Sequence, residues 1–520
     1  MPSLLTLCLL ALMGTQLYCH ADQETADSKL ANKRYVYYRD FGAKGDGKTD
    51  DFQAIVKAHA FANKHQRKVV AGKGLTFYLG GSDTSAIIRT DTDLRGAHFI
   101  IDDTAVENRR SNIFIVPATS SAIVLKNLKS LKKGQAKIAP PTNQPCLVEV
   151  TNAHTKHYIR SGANQNSGAS QTDVFLVDQY GKVDKHTPIL WNFDSVTQAK
   201  AYPIDTQTLT ILGGTFTTIA NHAKSKYTYY SRGISIQRSN VVIDGISHRI
   251  KNEGHQGAPY HGFLNITRCA KVKVKNAKFS GHKTYRTIGS AGRPVSMGTY
   301  DLLISKSINV SFSHCSQIND IHDRSLWGIM ASNYCKNLLY DHCTLSRFDA
   351  HKGVFNAYIK NSTLGHAGIT VIGHGTLLIE NTSIMSRQSF VNFRSDYGST
   401  WDGECVIRHC KFQPIATKNV AIFSGSNSGQ HDFGYPCSMP KRITIESLHI
   451  HDPKSSKNPP TLFSNFNPHY KNPNYREKFP YAKTKRVTLK DVTTTSGKKL
   501  RVSNNPSLFR NVQVIWDPPH

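Results

Sequence analysis

A short phrase recurs at irregular intervals between about residues 240 and 490 of this 520-residue chain. In each copy an aliphatic or aromatic anchor is followed, after one spacer, by a small polar residue, a small residue, a second spacer and a large apolar residue. Clear copies read VKVKNAKF, VSFSHCSQI, LLYDHCTL, YIKNSTL, LLIENTSI, VIRHCKF and ITIESLHI. Apolar positions that return in this way indicate units that bury a core only by stacking on one another.

The spacing of the copies indicates the architecture. The anchors Tyr340, Ile359 and Ile379 lie 19 and 20 residues apart, whereas the other gaps run from 28 to 44 residues. A coil of about 20 residues with insertions of variable length is typical of a parallel β-helix. The 36 glycines and 21 prolines also favour a turn-rich all-β chain. The sequence therefore predicts an all-β fold, a parallel β-helix solenoid with a short N-terminal α-helical cap.

The first residues indicate export. Residues 1–21 combine an apolar stretch with small side chains at Cys19 and Ala21, which is typical of a secretory signal peptide. We therefore expect a secreted or periplasmic protein, or one at the cell surface. No other apolar run is long enough to span a bilayer.

The remaining chain divides by composition into three parts. Residues 22–70 form a predicted cap region, in which the strand YVYY, a glycine turn and a helix from Asp50 follow one another. Residues 71–415 hold the β-helix with its inserted loops. Residues 416–520 add C-terminal rungs and Pro-, Asn- and Lys-rich loops, which we expect to cover the substrate groove. We expect the protein to be a monomer.

The charge balance predicts an anionic partner. Lys and Arg number 65 against 36 Asp and Glu, a net charge of +29, and a protein with this balance is attracted to polyanions. No helix-turn-helix, zinc-finger or aromatic RNA-binding signature is present, so an acidic polysaccharide is favoured over nucleic acid.

The cysteines indicate no cofactor. Cys315, Cys343 and Cys410 share one offset in the repeat, so we expect them to pack inside the coil as thiols; a Cys335–Cys343 disulfide is left open. No cysteine and histidine spacing has the form of a zinc site.

Counting from the anchors predicts which side chains share a face, because equivalent positions on successive coils lie about 4.8 Å apart. Arg347 and Arg394 are predicted to hold a carboxylate or sulfate, His351 and His374 to transfer protons, and Tyr397 to act as an alternative acid. The same count places His374 beside Arg394. The predicted substrate-binding residues are His282, Lys283, Tyr285, Arg286, Arg324, Lys352 and His366.

This cationic set favours one reaction class. A glycoside hydrolase normally needs two carboxyl groups beside the bond that it cleaves. A lyase instead neutralises the C5 carboxylate of a uronic acid, removes the C5 proton and protonates the departing O4, and Arg, His and Tyr suit these tasks. The sequence therefore predicts a lyase.

Two stretches carry a family resemblance. FGAKGDGKTDD resembles the opening of pectate-lyase-like proteins, and the stretch from LWGIMASNYCKN to GVFNAYIKNSTLGHAGI, with Arg347 to His351 at its centre, resembles bacterial chondroitin and dermatan sulfate lyases. The resemblance implies a right-handed parallel β-helix polysaccharide lyase acting on a glycosaminoglycan. A divalent cation such as calcium is left open, although the clustered pair of glutamates that the calcium-assisted chondroitinase pattern needs is absent from the sequence.

Two other functions are weighed against this prediction. Polygalacturonases share the opening phrase and a Gly-His-Gly motif, present here at Gly373 to Gly375, but their acidic motifs do not precede it in this chain. A hydrolase would use Asp349 with Asp396 or Asp320. The other alternative is a non-catalytic β-helix that binds polyanions through charge alone, and such binding is screened by salt.

Overall fold

The computed structural model describes residues 32–517 apart from 109, 223–231, 255–261, 328–329, 388, 416–418 and 455–457. The predicted signal peptide lies outside the described residues. Within them, no helix combines the length and the apolar character that a membrane span requires.

The repeat folds into a parallel β-helix with three sheet faces, which we call A, B and C. Face A contains the anchors of the repeat. Its separate strands are Tyr35–Tyr37, Lys68–Val70, Thr92–Asp93, Leu209–Leu212, Val241–Asp244, Ala270–Lys275, Ile308–Ser313, Gly373–Glu380 and Gln513–Asp517.

In the coils that have all three faces, face B follows face A and face C follows face B. The separate strands of face B are Asp46–Asp50, Thr76–Leu79, His98–Asp102, Thr215–Ile219, Ser247–Lys251, Lys278–Phe279, Ser316–Gln317 and Ser383–Ser386. Those of face C are Ala86–Ile87, Phe114–Pro117, Ile234–Gln237, Leu264–Thr267, Leu302–Ser305, Ser389–Phe393, Ala421–Ser424, Thr461–Phe463 and Arg501–Ser503.

Some strands continue around a corner from one face to the next. They are Met330–Asp341, Thr344–Lys360, Thr363–Val371, Trp401–Pro414, Arg442–Ile450 and Arg486–Thr494. The predicted parallel solenoid is thereby confirmed.

The repeat phrase reflects one corner of the coil. The anchors Tyr340, Ile359 and Ile379 pair in register on face A and are buried. Two residues after an anchor, Asn361 and Asn381 have left-handed backbone, with φ of 49° and 46°, a conformation that asparagine tolerates. The Asn381 amide donates to Asn361 Oδ1 over 3.1 Å, so the small polar residue of the phrase both turns the chain and links neighbouring coils.

The next residue of the phrase points into the core. Cys315, Cys343 and Cys410 are buried free thiols, as predicted, and Cys335 is also a free thiol, so the disulfide left open with Cys343 is absent.

The α-helix Phe52–His65 lies within the predicted cap region and packs Ile55, Ala58 and Phe61 against the first coils. The Tyr38 hydroxyl lies 2.9 Å from His59 Nε2 in the same interface. The capping role of this helix stays a prediction. The 3-10 turns are Tyr38–Phe41, Ser395–Tyr397, Pro468–Lys471 and Pro506–Phe509.

Three smaller sheets decorate the solenoid. An antiparallel sheet of Ile123–Val124, Cys146–His157, Ala169–Val177 and Gln198–Pro203 forms an inserted subdomain between two coils, a hairpin comprises Tyr285–Ile288 and Pro294–Met297, and Cys437–Ser438 pairs with Tyr481–Ala482. The subdomain docks through the ion pair between Asp173 and the buried Lys336, whose Nζ and Oδ1 lie 2.9 Å apart.

Candidate functional site

A cleft of about 750 Å³, cleft 1, lies between face C and the Tyr285–Met297 hairpin. Its lining is cationic and polar, and none of the described lining residues is Asp or Glu. The charged, titratable and aromatic side chains in this lining are Tyr285, Arg286, Arg324, Trp327, Arg347, His366 and Arg387.

Arg347 is the most firmly held cation of cleft 1. It lies at an irregularity of the strand Thr344–Lys360, where the register to the next coil shifts. One guanidinium nitrogen lies 3.0 Å from Asp349 Oδ2, and its Cζ lies 5.3 Å from the ring centre of Trp327 and 6.0 Å from that of Tyr300. The aromatic rings and the carboxylate together fix the direction of this arginine.

Asp349 is a buried anchor. It is fully buried, accepts a hydrogen bond of 2.8 Å from the Tyr300 hydroxyl, and pairs with Arg394 at 2.9 Å besides Arg347. Burial raises the pKa of Tyr300, and the charge of Asp349 adds to this effect, so the phenol stays a donor.

The ion pairs continue to a second cleft. Arg394 pairs with Asp396 at 3.0 Å, and Asp396 pairs with Arg160 at 2.8 Å. Burial alone would raise the pKa of Asp396, but Arg394 and Arg160 outweigh it and lower that pKa. Arg160 and Asp396 line cleft 2, of about 510 Å³, with Asn164, Asn427 and neighbouring residues.

His366 is a neutral imidazole in the wall of cleft 1. Burial lowers the pKa of His366, and the positive charge of Arg347 lowers it further. A hydrogen bond with the backbone of Leu326 raises this pKa but is outweighed. The Nε2 of His366 has no hydrogen-bond partner among the described residues. A buried polar atom without a partner calls for an explanation, such as a ligand.

Three predicted residues form an inner cluster beside the ion pairs. The ring centres of His351 and Tyr397 lie 5.8 Å apart, and Tyr397 also packs against Tyr158. Burial lowers the pKa of His351 far below its usual value, with added repulsion from Arg394 and Arg160; burial and Arg160 also lower the pKa of Lys352. None of the three lies in the lining of cleft 1.

The predicted adjacency of His374 and Arg394 is wrong. His374 pairs on face A with Phe355 and Asp402, whereas Arg394 follows a strand of face C. Fifteen residues past Ile359 the chain has already returned to face A, because that coil has 20 residues. The next coil has 28 residues, so fifteen residues past Ile379 the chain has only just left face C. His374 instead contacts Trp191 of the inserted subdomain, with ring centres 4.9 Å apart.

Two further predicted residues are not part of the lining of cleft 1. His282 is fully buried, with Nε2 3.0 Å from Asp301 Oδ1, and Asp301 also pairs with His248 at 2.8 Å. Lys283 donates to the backbone carbonyl of Glu253 over 3.2 Å. The structure thus brings Arg347, His366, Tyr285, Arg286 and Arg324 together, and leaves the other predicted residues outside.

Sequence reasoning missed three residues of the clefts. Arg387 lies eight residues past Ile379, close to the count that placed Arg347 and His366 on one side, so the repeat could have revealed it. Trp327 follows Leu326, an apolar context in which the sequence does not distinguish a cleft residue from a core residue. Arg160 follows a strand of the inserted subdomain, where no repeat phrase provides a count.

The described residues contain no cluster of three or more His, Cys, Asp and Glu side chains arranged for a metal ion. The suggestion of calcium therefore gains no site from this part of the chain.

The fold places the chain among parallel β-helix proteins. It resembles the tailspike gp61 of Pseudomonas phage phi297, with a TM-score of 0.54 and 13% identity over 93% of this chain and 84% of that one. It also resembles the gp54 tailspike of Acinetobacter baumannii bacteriophage AP22, solved with a capsular saccharide, with a TM-score of 0.52 and 9% identity over 93% and 79% of the two chains.

The comparisons of sequence are narrower. A capsule KL64-specific depolymerase of Klebsiella phage P510 is 23% identical over 180 residues, which cover 28% of this chain and 18% of the depolymerase. No protein-family model matches the chain. The comparisons therefore show that this chain shares the parallel β-helix fold of these two structures, and they do not show a reaction.

Proposed function

We propose that this protein is an exported depolymerase that cleaves an acidic polysaccharide by β-elimination in cleft 1. The carrying observation is the lining of that cleft, which holds four arginines and a neutral histidine with an unpartnered nitrogen, without a carboxylate among the described lining residues. The capsular saccharide bound by the AP22 tailspike and the depolymerase relative support a polysaccharide as the substrate.

The arginines suit the first requirement of elimination. Guanidinium groups pair with carboxylates through two parallel hydrogen bonds. Arg347 is already oriented by Asp349 and Trp327, so it can stabilise the charge that develops on a uronate without reorganising.

His366 suits the second requirement and replaces His351 and His374 as the proposed base. Its free Nε2 would take the C5 proton, the electron pair would form the C4–C5 double bond, and the C4–O4 bond would break. Tyr285, the phenol among the described lining residues of cleft 1, would return a proton to O4.

The carboxylates argue against hydrolysis in this cleft. A hydrolase needs a carboxylic acid that can donate a proton beside the scissile bond. Asp349 is sealed behind Arg347 and Arg394, and the lowered pKa of Asp396 keeps it ionised. The glycosaminoglycan specificity implied by the family resemblance is part of the proposal.

The test is turnover of chondroitin sulfate, dermatan sulfate, hyaluronan and polygalacturonate by the purified protein, read from the ultraviolet absorbance of the unsaturated product. We expect His366→Gln to lower kcat roughly 10²- to 10⁴-fold. His374→Gln is the matched control, because that histidine lies on another face.

The pH profile checks the same assignment. Because the pKa of His366 is below its ordinary value of 6.5, wild-type activity should be complete at neutral pH and fall only in more acidic solution. Equal rates for the wild type and His366→Gln would contradict the proposed base. Salt-sensitive binding without any cleavage would favour the binding-protein alternative.

A further inference from the structure

A third cleft lies at the C-terminal end of the solenoid, away from the proposed reaction. Cleft 3 has a volume of about 570 Å³. Lys471, Lys483 and Arg510 line it, and no Asp or Glu is among its described lining residues. A cleft whose charged side chains are all positive attracts anions.

The walls of cleft 3 are held in place. Lys483 Nζ lies 4.2 Å from the ring centre of Tyr470, and the Tyr470 hydroxyl donates to Glu477. Thr484, which also lines the cleft, is 3% exposed, and its hydroxyl has no partner among the described residues. The cleft thus offers three cations, one of them packed over an aromatic ring, and a buried hydroxyl that has no partner among the described residues.

The aromatic rings of cleft 3 indicate the class of ligand. Lys483 covers the ring of Tyr470, and Tyr475 stacks on His469, with ring centres 4.9 Å apart and an interplanar angle of 15°. Nucleic-acid bases bind single-strand sites by stacking on free aromatic faces. Cations and hydroxyls suit the carboxylates, sulfates and hydroxyls of an acidic saccharide better.

Cleft 3 is connected to the other two clefts through neighbouring residues. Ser424 lines cleft 1 and Ser428 lines cleft 2, and the backbone carbonyl of Ser428 accepts a hydrogen bond from Tyr475, which lines cleft 3. The strand Arg501–Ser503 lies two coils beyond Ala421–Ser424, a displacement of about 10 Å at the usual strand spacing.

We propose that cleft 3 is a second, non-catalytic binding site for the acidic polysaccharide, which holds the chain that extends from cleft 1 through cleft 2. This inference rests on the proposed function for its choice of substrate. It predicts that long chains bind more tightly than fragments that fill cleft 1 alone.

The experiment measures binding without cleavage. In a His366→Gln background, the Kd of fluorescently labelled chondroitin sulfate and polygalacturonate is compared with that of their tetrasaccharides. The test variant is Lys471→Ala/Lys483→Ala/Arg510→Ala. The control, Lys126→Ala/Lys129→Ala/Lys185→Ala, removes the same charge from exposed lysines of the inserted region.

We expect the test variant to weaken polymer binding by roughly 3- to 150-fold, since it removes three cations and each exposed ion pair contributes only modestly to affinity. In the test variant the Kd of the polymer should also approach that of the tetrasaccharide, whereas in the control variant the polymer should still bind more tightly than the tetrasaccharide. Equal losses in the two triple variants, or no binding of either polymer by the parent, would overturn the inference.

The outcomes for cleft 3 and for the proposed elimination reaction can be distinguished. If the wild-type protein forms no unsaturated product but the test variant still loses polymer binding, cleft 3 stands and the elimination reaction does not. If elimination occurs and the test variant binds as the control does, the reverse holds.

Discussion

Replacing Asp349 with Asn tests whether the buried carboxylate organises the site. Asp349 is fully buried and has contacts of 2.8, 3.0 and 2.9 Å with Tyr300, Arg347 and Arg394. The amide keeps the shape but loses the charge, and its nitrogen faces groups that donate. Arg394 keeps Asp396 as a partner, whereas Arg347 has no other counter-ion among the described residues.

The magnitude follows from this asymmetry. Removing one partner of a buried ion pair typically costs about 3–5 kcal/mol. For Asp349→Asn we expect a loss in the free energy of unfolding of that order. The matched control is Asp396→Asn, whose side chain is 24% exposed and whose arginine Arg394 keeps Asp349. A partly exposed pair of this kind is worth about 1 kcal/mol or less.

The assay is guanidinium unfolding followed by tryptophan fluorescence, with unfolding rates measured if refolding is incomplete. Asp349→Asn should also lose most turnover, because Arg347 is no longer held in direction. Similar stability losses in the two variants would refute the argument that Asp349 is the buried centre of the ion-pair chain.

Two further predictions concern acid stability and the shape of cleft 1. Burial, with repulsion from His374, lowers the pKa of His157 from 6.5 to about 4. The unfolded chain therefore binds more protons between these values, and stability should fall as pH falls through this window. His157→Gln should remove up to about 3 kcal/mol of that fall, as measured by unfolding at pH 7 and near pH 4; an unchanged pH dependence would contradict this. At Gly298 an added Cβ would lie 2.2 Å from Trp327 Cβ, so Gly298→Ala should displace Trp327 and lower turnover. Gly254→Ala, where the space is open, should not; equal rates would show that Trp327 does not shape the cleft.

Much of the fold could be predicted because one corner of each coil imposes the same demands. Positions such as Ile359 must be apolar to fill the core, and Asn361 must tolerate left-handed backbone. These demands leave a visible phrase in the sequence. The inserted subdomain carries no such phrase, because an antiparallel sheet pairs distant segments without a repeating turn.

Equal counts from the anchors are comparable between coils only where coil lengths stay constant. Arg347 and His366 follow their anchors by equal counts and line one cleft. The count fails at Arg394, since the coil after Ile379 is longer. The sequence also did not show which side chains are buried. Histidine is a residue type that suits a site, but His282 is fully buried in the protein and paired with Asp301.

The most direct test of the central claim is the chemical structure of the new non-reducing end after wild-type digestion of an acidic polysaccharide. We predict a C4–C5 unsaturated uronate, detected by nuclear magnetic resonance and by a product mass that lacks the added water of hydrolysis. A saturated end, with water added across the cleaved bond, would contradict elimination and would require a catalytic carboxylic acid that cleft 1 does not offer among its described lining residues.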